Sequence, residues 1–221
     1  MNRLVIIGAS GHGKVVADIA RLNGYTDIVF LDDAPGLEEV SGYPVLGPVS
    51  AFSDFLQDDF FVAIGNSAIR NRIQNKIASS GARLITLIHP SAVVANDVSI
   101  GKGTAVMAGA VINPSTWIGR GCIVNTSASV DHDCVIGDFS HISVGAHLAG
   151  SVAVSKRTWI GIGAVVNNNL SICPDVVIGA GATVVRSIDV PGTYVGVPAK
   201  MIGTAVRGAG CSDLAVSTRE V

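Results

Sequence analysis

Residues 91–190 carry a six-residue repeat that restricts the fold more than any other feature of the chain. Two residues before each repeated aliphatic position stands a small or apolar residue, such as Ala92, Thr104 or Cys134. The order small, any, aliphatic is typical of a short strand whose alternate side chains point inward. The aliphatic residues form 17 consecutive matches without a slip: Val94, Ile100, Val106, Ile112, Ile118, Val124, Val130, Ile136, Ile142, Leu148, Val154, Ile160, Val166, Ile172, Ile178, Val184 and Val190.

Six residues are too few for a strand and a reversing hairpin, but they suit a short strand followed by a corner. Three repeats would close a triangular coil of about 18 residues, and stacked coils about 4.8 Å apart would form a parallel β-helix with a core of Ile and Val. Gly or Asn often opens the next repeat, as at Gly101, Asn113 and Gly119, and we expect these residues to supply left-handed backbone at the corners. A β-sandwich is the alternative, but its variable loops do not keep a strict register.

Residues 1–88 read as a separate Rossmann-like α/β domain. Apolar strands are predicted at 3–8, 27–31, 43–46, 60–64 and 83–88, and helices at 13–23, 50–56 and 67–80. Strands that alternate with helices predict a parallel sheet. The His89-Pro90 pair marks the junction, so the solenoid is assigned to 89–203. Residues 204–221 are small and polar without a pattern, and we expect a frayed, flexible C-terminal tail.

The bulk properties exclude several classes of protein. A formal net charge of −2 without a long basic run argues against a nucleic-acid groove. The uncharged stretches 103–119 and 158–174 fall short of the roughly 20 apolar residues of a membrane span, so no membrane insertion is expected. The N-terminus lacks a signal-peptide cleavage pattern. A cytoplasmic protein without disulfides is predicted because no CxxC pair occurs among Cys122, Cys134, Cys173 and Cys211.

Polar residues follow three strands of the predicted sheet. The loop at residues 8–13 has the spacing GxxGxG, not the dinucleotide fingerprint GxGxxG, yet glycines before a helix N-terminus still suit an anion. Ligands of such sheets bind beyond the carboxyl ends of strands. The three strand ends carry Ser10-Gly11-His12, Asp32-Asp33 and Gly65-Asn66. They favour a ligand site over the alternative of a docking domain with ordinary polar turns.

Two solenoid histidines stand in unusual surroundings. His132 falls at a corner between Asp131 and Asp133, and a neighbouring carboxylate strengthens an imidazole base. His141 falls at an outward strand position, in a row that is otherwise apolar: Ile123, Trp159 and Val177. A solvated surface histidine is the ordinary alternative. An apolar outer row implies a cover, and we expect a neighbouring subunit or a long ligand to supply it.

Together these segments resemble one family, the bacterial sialic acid O-acetyltransferases and nucleotide-4-amino-sugar N-acetyltransferases, which are hexapeptide-repeat acyltransferases with a left-handed β-helix. The resemblance covers residues 1 to about 202. It rests on GASGHG at 8–13, LDD at 31–33, AIGN at 63–66, the histidine segment at 125–150 and VGVPAK at 195–200. It implies a left-handed solenoid and a homotrimer with acetyl-CoA in the groove between adjacent solenoids.

The resemblance also implies roles for individual residues. His132 would be the general base and Asp133 the acid that raises its basicity, although relatives often have the longer Glu there. Acetyl-CoA contacts fall on His141, Gly150, Ile162 and Ala180, where relatives often have Gly at the last position. Nucleotide-sugar contacts fall on Ser10, Gly11, His12, Asp32, Asp33 and Gly65.

The implied reaction is acetyl transfer from acetyl-CoA to the 4-amino group of a nucleotide-linked 4-amino-4,6-dideoxysugar, as part of glycan biosynthesis. Attack would be direct, with His132 accepting the proton, and no metal is expected. Three alternatives stay open. The acceptor could be a sugar hydroxyl, as in sialic acid O-acetylation. His132, His141 and His147 could bind zinc, as in carbonic anhydrases built on this repeat. The solenoid could also be a non-catalytic scaffold.

Overall fold

A computed structural model of the protein describes residues 3–204, so all but the first residue of the expected tail lies outside the described residues. The predicted architecture is confirmed: a parallel sheet at the N-terminus precedes a parallel β-solenoid. Neither helix of the described chain, at 12 and 13 residues, has the length that crossing a bilayer requires.

The N-terminal domain is a four-stranded parallel sheet in the order β2-β1-β5-β6, with a small hairpin (β3-β4) beside it. One side of the sheet packs on α1, and the other packs on α2 and a 3-10 helix. The elements are β1 (Leu4–Ile7), α1 (Gly11–Leu22), β2 (Ile28–Leu31), β3 (Glu39–Val40), β4 (Tyr43–Pro44), the 3-10 helix (Val49–Phe55), β5 (Asp59–Val62), α2 (Ser67–Ser79) and β6 (Arg83–Leu84).

The solenoid consists of two-residue strands in three parallel sheets, and two longer strands, β24 and β25, end one of these sheets with an antiparallel pair. The strands are β7 (Leu87–Ile88), β8 (Val93–Val94), β9 (Ser99–Ile100), β10 (Ala105–Val106), β11 (Val111–Ile112), β12 (Trp117–Ile118), β13 (Ile123–Val124), β14 (Ser129–Val130), β15 (Val135–Ile136), β16 (His141–Ile142), β17 (His147–Leu148), β18 (Ala153–Val154), β19 (Trp159–Ile160), β20 (Val165–Val166), β21 (Ser171–Ile172), β22 (Val177–Ile178), β23 (Thr183–Val184), β24 (Thr193–Val195) and β25 (Lys200–Gly203).

Successive strands pass to successive faces of a triangular prism. Face A begins at β7, face B at β8 and face C at β9, and each strand from β7 to β23 pairs with a strand 18 residues away. The corners are named AB, BC and CA after the faces they join. The second residue of nearly every strand points inward and is buried, together with the small residues two positions earlier, including Cys122 and Cys134. The inward column predicted from the repeat is therefore confirmed.

The strand predicted at 83–88 is divided between the two domains. Arg83–Leu84 pairs with β5 of the N-terminal sheet, whereas Leu87–Ile88 pairs with β10 as the first strand of the solenoid. At the other end, the repeat stops after Val184. Ile188 bridges to Ile172 in place of the expected Val190, which is 48% exposed. The last coil is thus two residues shorter than the repeat, and Val190 was wrongly placed in the core.

The corner glycines do not have the role expected of them. Left-handed backbone recurs every six residues from Gly103 to Gly181, two positions after the glycines that open the repeats. Asp133, Phe139 and Arg157 are among the residues that adopt it, with φ near 59°. The opening positions are small for another reason: a Cβ on Gly137 would lie 2.5 Å from the backbone nitrogen of Lys156 in the next coil. Close stacking of coils, and not a positive φ, selects glycine there.

The N-terminal domain packs directly on face A. The outward side chains Leu87, Ala105 and Ile123 are at most 2% exposed and share a core with α1 and the β-sheet. The sequence-based expectation that a neighbouring subunit or a ligand covers this row is therefore wrong for Ile123, because the chain covers that residue itself. Only the upper part of the row, beyond Ile123, is left partly open.

A partly buried ionic cluster, with Asp59 at its buried end, holds the amino end of β5. The Asp59 carboxylate is 1% exposed and accepts hydrogen bonds from Arg83 Nε (2.5 Å) and Tyr25 Oη (2.7 Å). Asp59→Ala should lower the free energy of unfolding by about 1–3 kcal/mol, because the buried Tyr25 hydroxyl loses its acceptor. Asp27→Ala, which breaks an exposed pair with Arg3, should cost about 0–1 kcal/mol. Urea unfolding of both variants measures the two losses, and equal losses would contradict the role of burial.

Candidate active site

His132 lies on corner BC and points an exposed imidazole outward. Its Nδ1 is 2.7 Å from Asp133 Oδ2, and the two side chains are 58% and 59% exposed. Since a carboxylate accepts from Nδ1–H, the neutral ring keeps the lone pair of Nε2 free to take a proton. The hydrogen bond with Asp133 raises the pKa of His132 above its ordinary 6.5, and the charges of Asp131 and Asp133 add to it.

The corner is held in place from the coil below. Asp131 Oδ1 accepts from the backbone N–H of His132 and from Asn113 Nδ2, each at 2.8 Å. These bonds, led by the one from Asn113, lower the pKa of Asp131. Asn113 has no part in the site predicted from the sequence, although its position 18 residues before Asp131 places it on the same corner.

Gly150 lies one coil above, against the imidazole of His132. A Cβ on Gly150 would stand 2.6 Å from Nε2 of His132, so the ring occupies the space that a side chain would need. Gly150 is buried, and its carbonyl accepts from the N–H of Asn169 at 3.0 Å. Within residues 3–204, the N–H of Gly150 donates to no acceptor. A free N–H beside a base can stabilise an oxyanion.

The three polar strand ends meet at one edge of the N-terminal sheet, because β2, β1 and β5 are neighbours and parallel. Ser10 precedes α1 without a side-chain cap, so the N–H groups of the first helical turn are left for an anion. Gly11 and Gly65 are exposed there. Asp32 Oδ2 accepts from Ala9 N–H at 2.7 Å, which ties this loop to the end of β2.

The second carboxylate of the pair is also engaged by the backbone. Asp33 Oδ1 accepts from the N–H of Val49 at 2.8 Å, at the start of the 3-10 helix. Asp32 and Asp33 therefore both shape this edge. Each carboxylate still has acceptor capacity beyond these bonds.

His12 and His141 form a half-buried group between this edge and face A. Burial, with a smaller contribution from the nearby Arg70 charge, lowers the pKa of His12 to about 4 and that of His141 to about 3. Both rings are therefore neutral at pH 7. Among residues 3–204, the buried Nε2 atom of His12 has no hydrogen-bond partner, and such an atom is suited to a ligand that can bond with it.

Two further residues orient His141. Its ring stacks on Trp159 with centroids 5.3 Å apart, and Asn125 Nδ2 lies 3.0 Å from its Nε2. Asn125 Oδ1 accepts from the N–H of Thr126, so its amide nitrogen faces the histidine as a donor. Asn125 has no part in the sequence-based site, because only the structure shows that it contacts His141.

The predicted site residues thus fall into two groups that one chain does not bring together. His132, Asp133 and Gly150 lie on corner BC, opposite face A. Face A carries His141 and is covered below it by the N-terminal domain with His12. Ile162, 58% exposed, and Ala180 lie one coil apart on corner AB. Among the described residues, no three His, Cys, Asp or Glu side chains converge as metal ligands.

Comparison with known proteins identifies relatives. Residues 3–77 match the family model of the PglD N-terminal domain. The GDP-perosamine N-acetyltransferase of Escherichia coli O157:H7 is 33% identical over 162 residues, which cover 70% of this chain and 73% of that protein.

Two solved structures extend the likeness over nearly the whole chain. The acetyltransferase domain of PglB from Neisseria gonorrhoeae FA1090, in complex with acetyl coenzyme A, is 42% identical with a TM-score of 0.88, over 91% of this chain and 99% of that one. PerB from Caulobacter crescentus, in complex with CoA and GDP-perosamine, is 41% identical with a TM-score of 0.88, over 92% and 98%. The chain therefore belongs to the hexapeptide-repeat family of nucleotide-amino-sugar N-acetyltransferases.

Proposed function

We propose that this protein transfers the acetyl group of acetyl-CoA to the 4-amino group of a nucleotide-linked 4-amino sugar. The observation that carries the proposal is the match to PerB, whose structure contains CoA and GDP-perosamine and which this chain covers over 98% of its length. Two features of the chain support the proposal: helical N–H groups at the sheet edge that suit an anion, and an imidazole paired with a carboxylate that suits a general base.

The separation of the two residue groups supports a homotrimer. His132 on corner BC faces away from the nucleotide edge of its own chain. If three solenoids pack side by side, corner BC of one chain meets face A and corner AB of the next. Gly150 of one chain and His141, Ile162 and Ala180 of its neighbour would then line one groove for acetyl-CoA. Exposed apolar residues on these surfaces, such as Ile162 on corner AB and Val177 on face A, fit such a contact.

In the proposed mechanism, the neutral amine nitrogen attacks the thioester carbonyl carbon and forms the new C–N bond. Nε2 of His132 takes the proton that the nitrogen loses, and Asp133 stabilises the imidazolium. The N–H of Gly150 stabilises the oxyanion, with His141 close to the acetyl-CoA. The C–S bond then breaks, and the proton passes from His132 to the leaving thiolate. Cys134 takes no part as a nucleophile because it is buried in the core.

Gly150→Ala should lower kcat by about 10²-fold, because the new methyl group would displace the His132 ring by the order of an ångström. In a His132→Ala background the same substitution should have no further effect, since the collision is gone. Steady-state kinetics of the two single variants and the double variant form a complete cycle. Additive losses would show that Gly150 acts independently of His132.

The pH dependence follows from the raised pKa of His132. The base works only when neutral, so kcat/KM should rise with pH through a midpoint above 6.5. Asp133→Asn removes the main cause of the raised pKa and should move this midpoint to lower pH, with a lower plateau. The ionisation of the acceptor amine also affects the pH profile of kcat/KM. Because the amine belongs to the substrate, its pKa should be the same for the wild type and for Asp133→Asn. If the midpoint is unchanged in Asp133→Asn, the rise of kcat/KM with pH reports the ionisation of a group other than His132.

The test of the function is release of the CoA thiol from acetyl-CoA with a panel of UDP-, GDP- and dTDP-linked 4-amino-4,6-dideoxysugars and free sialic acid. Turnover with one amino sugar supports the proposal and names the nucleotide. Turnover with sialic acid alone would move the assignment to O-acetylation, and failure to bind acetyl-CoA would favour a scaffold. We infer that the reaction occurs in the cytoplasm, as a step of glycan biosynthesis, because the three cysteines within residues 3–204 are all free thiols.

A further inference from the structure

Arg70 is a buried cation that forms no ion pair with a carboxylate of residues 3–204. It projects from α2 and is 1% exposed, the largest side chain among those fully buried. Burial of an unpaired charge is costly, so such a residue is retained only where its hydrogen bonds compensate.

The guanidinium donates instead to backbone carbonyls of both domains. Nη1 donates to Ile64 and Gly65, each at 2.7 Å, where the chain leaves β5 at the nucleotide edge. Nε donates to Gly121 at 2.8 Å and Nη2 to Phe139 at 3.0 Å, on successive coils of corner CA. One rigid, planar group thus joins the edge where the nucleotide sugar is expected to bind to two coils of the solenoid.

The solenoid end of this connection lies beside His141. Phe139 stands two residues before His141 and adopts φ 59° with its ring buried, a conformation that bulky residues rarely hold. Arg70 is the donor to its carbonyl. At the other end, Gly65 belongs to the same sheet edge as the loop of His12. Arg70 therefore connects the segments that carry the two half-buried histidines, His12 and His141.

We propose that Arg70 is a positioning residue, which fixes the nucleotide-binding edge of the N-terminal domain relative to His141 on face A. The proposal rests on the proposed function, since the ligand of that edge is taken to be the nucleotide sugar. Loss of the guanidinium would leave β16 in place, because β13 and β19 pair with it on either side. The end of β5 would then shift against the solenoid, and the nucleotide sugar would be held away from the acetyl group.

Gln74 offers a matched control on the same helix. It lies one turn after Arg70, is 2% exposed, and donates to the carbonyl of Gly103 at 3.0 Å, on the coil below Gly121. It therefore joins α2 to corner CA without a bond to the end of β5. A general loosening of the two domains should follow from either substitution, whereas a shift of the nucleotide edge should follow only from loss of Arg70.

The experiment compares Arg70→Met, Arg70→Lys and Gln74→Met with the wild type in the complete protein. Arg70→Met should raise the KM for the nucleotide sugar by about 10-fold or more and leave the KM for acetyl-CoA within about twofold. Arg70→Lys, which keeps the charge but not the planar fork, should show a smaller rise and serves if Arg70→Met does not fold. Gln74→Met should lower Tm but change neither KM. Unchanged KM values in both Arg70 variants, or an equal rise in Gln74→Met, would overturn the proposal.

Hydrogen exchange of the unliganded protein separates this proposal from the proposed function. Arg70→Met should speed exchange at the end of β5 and in the loop of residues 8–12, with no change in β16 to β20, while Gln74→Met should leave these two segments unchanged. If the wild type acetylates no nucleotide sugar, the proposed function fails, and exchange alone decides the role of Arg70. Uniformly faster exchange in both variants would contradict positioning.

Discussion

Replacement of His132 by alanine should lower kcat with the nucleotide amino sugar by about 10²–10⁴-fold, the range expected when a general base is removed. The imidazole is 58% exposed on corner BC, outside the hydrophobic core, so the fold should persist. Steady-state release of the CoA thiol, with circular dichroism to verify folding, measures the effect. The KM for acetyl-CoA should change little, because the lost group acts on the acceptor amine.

His147→Ala is the matched control for this variant. His147 is also an exposed solenoid histidine with a hydrogen-bond partner, Ser129 at 2.8 Å, but it lies on the strand of face B and not on the corner. Its removal should leave kcat near the wild-type value. A His132→Ala protein with full turnover would refute the proposed base, and equal losses in the two variants would point to a general effect on the solenoid.

Ile136→Asp should abolish the folded solenoid, at a cost of more than about 4 kcal/mol, because a carboxylate would have no partner in an apolar column. Ile136 is 0% exposed, and the inward residues of the coils above and below, Ile118 and Val154, enclose it. Thermal unfolding followed by circular dichroism measures the loss.

Ser171→Asp is the control for Ile136→Asp, and it tests whether an aspartate in a strand destabilises the solenoid only at an inward position. Ser171 stands on the same face C but points outward and is exposed, so its substitution should leave the melting transition nearly unchanged. The comparison separates burial of a charge from the introduction of a charge into a strand. A cooperative transition in Ile136→Asp at the wild-type temperature would contradict the assignment of the inward column.

The sequence alone was sufficient for the solenoid because each repeat obeys a local rule. An inward aliphatic residue and a small partner determine the strand, whatever the rest of the chain does, and the column from Ile88 to Val184 confirms it. The corner prediction failed by two positions. Left-handed backbone at Phe139 and Arg157 cannot be predicted from residue type, because coil stacking imposes it on residues that rarely adopt it.

The residues of the candidate site also divide into those that the sequence predicts and those that only the structure shows. His132 between two aspartates was visible in the sequence, because its partners are adjacent in the chain. Asn113 and Asn125 were missed, since their contacts with Asp131 and His141 span 18 and 16 residues through the coils. The sheet edge at Ser10, Asp32 and Gly65 was predicted from strand ends, which a parallel sheet brings together by its topology.

What the sequence determined by itself is therefore the local chemistry: the repeat, the strand ends and the acid–histidine pair on one corner. What only the tertiary structure decided is the placement of these parts relative to one another. The N-terminal domain settles on face A because Leu87, Ala105 and Ile123 have apolar outer side chains to bury against it. That packing buries Arg70, and it lowers the pKa of His12 and His141, so both rings are neutral at pH 7. His132 lies on the corner opposite the face that the N-terminal domain covers. The periodicity of the sequence does not predict this packing, because the burial of distant segments against each other depends on which surfaces of the two domains come into contact.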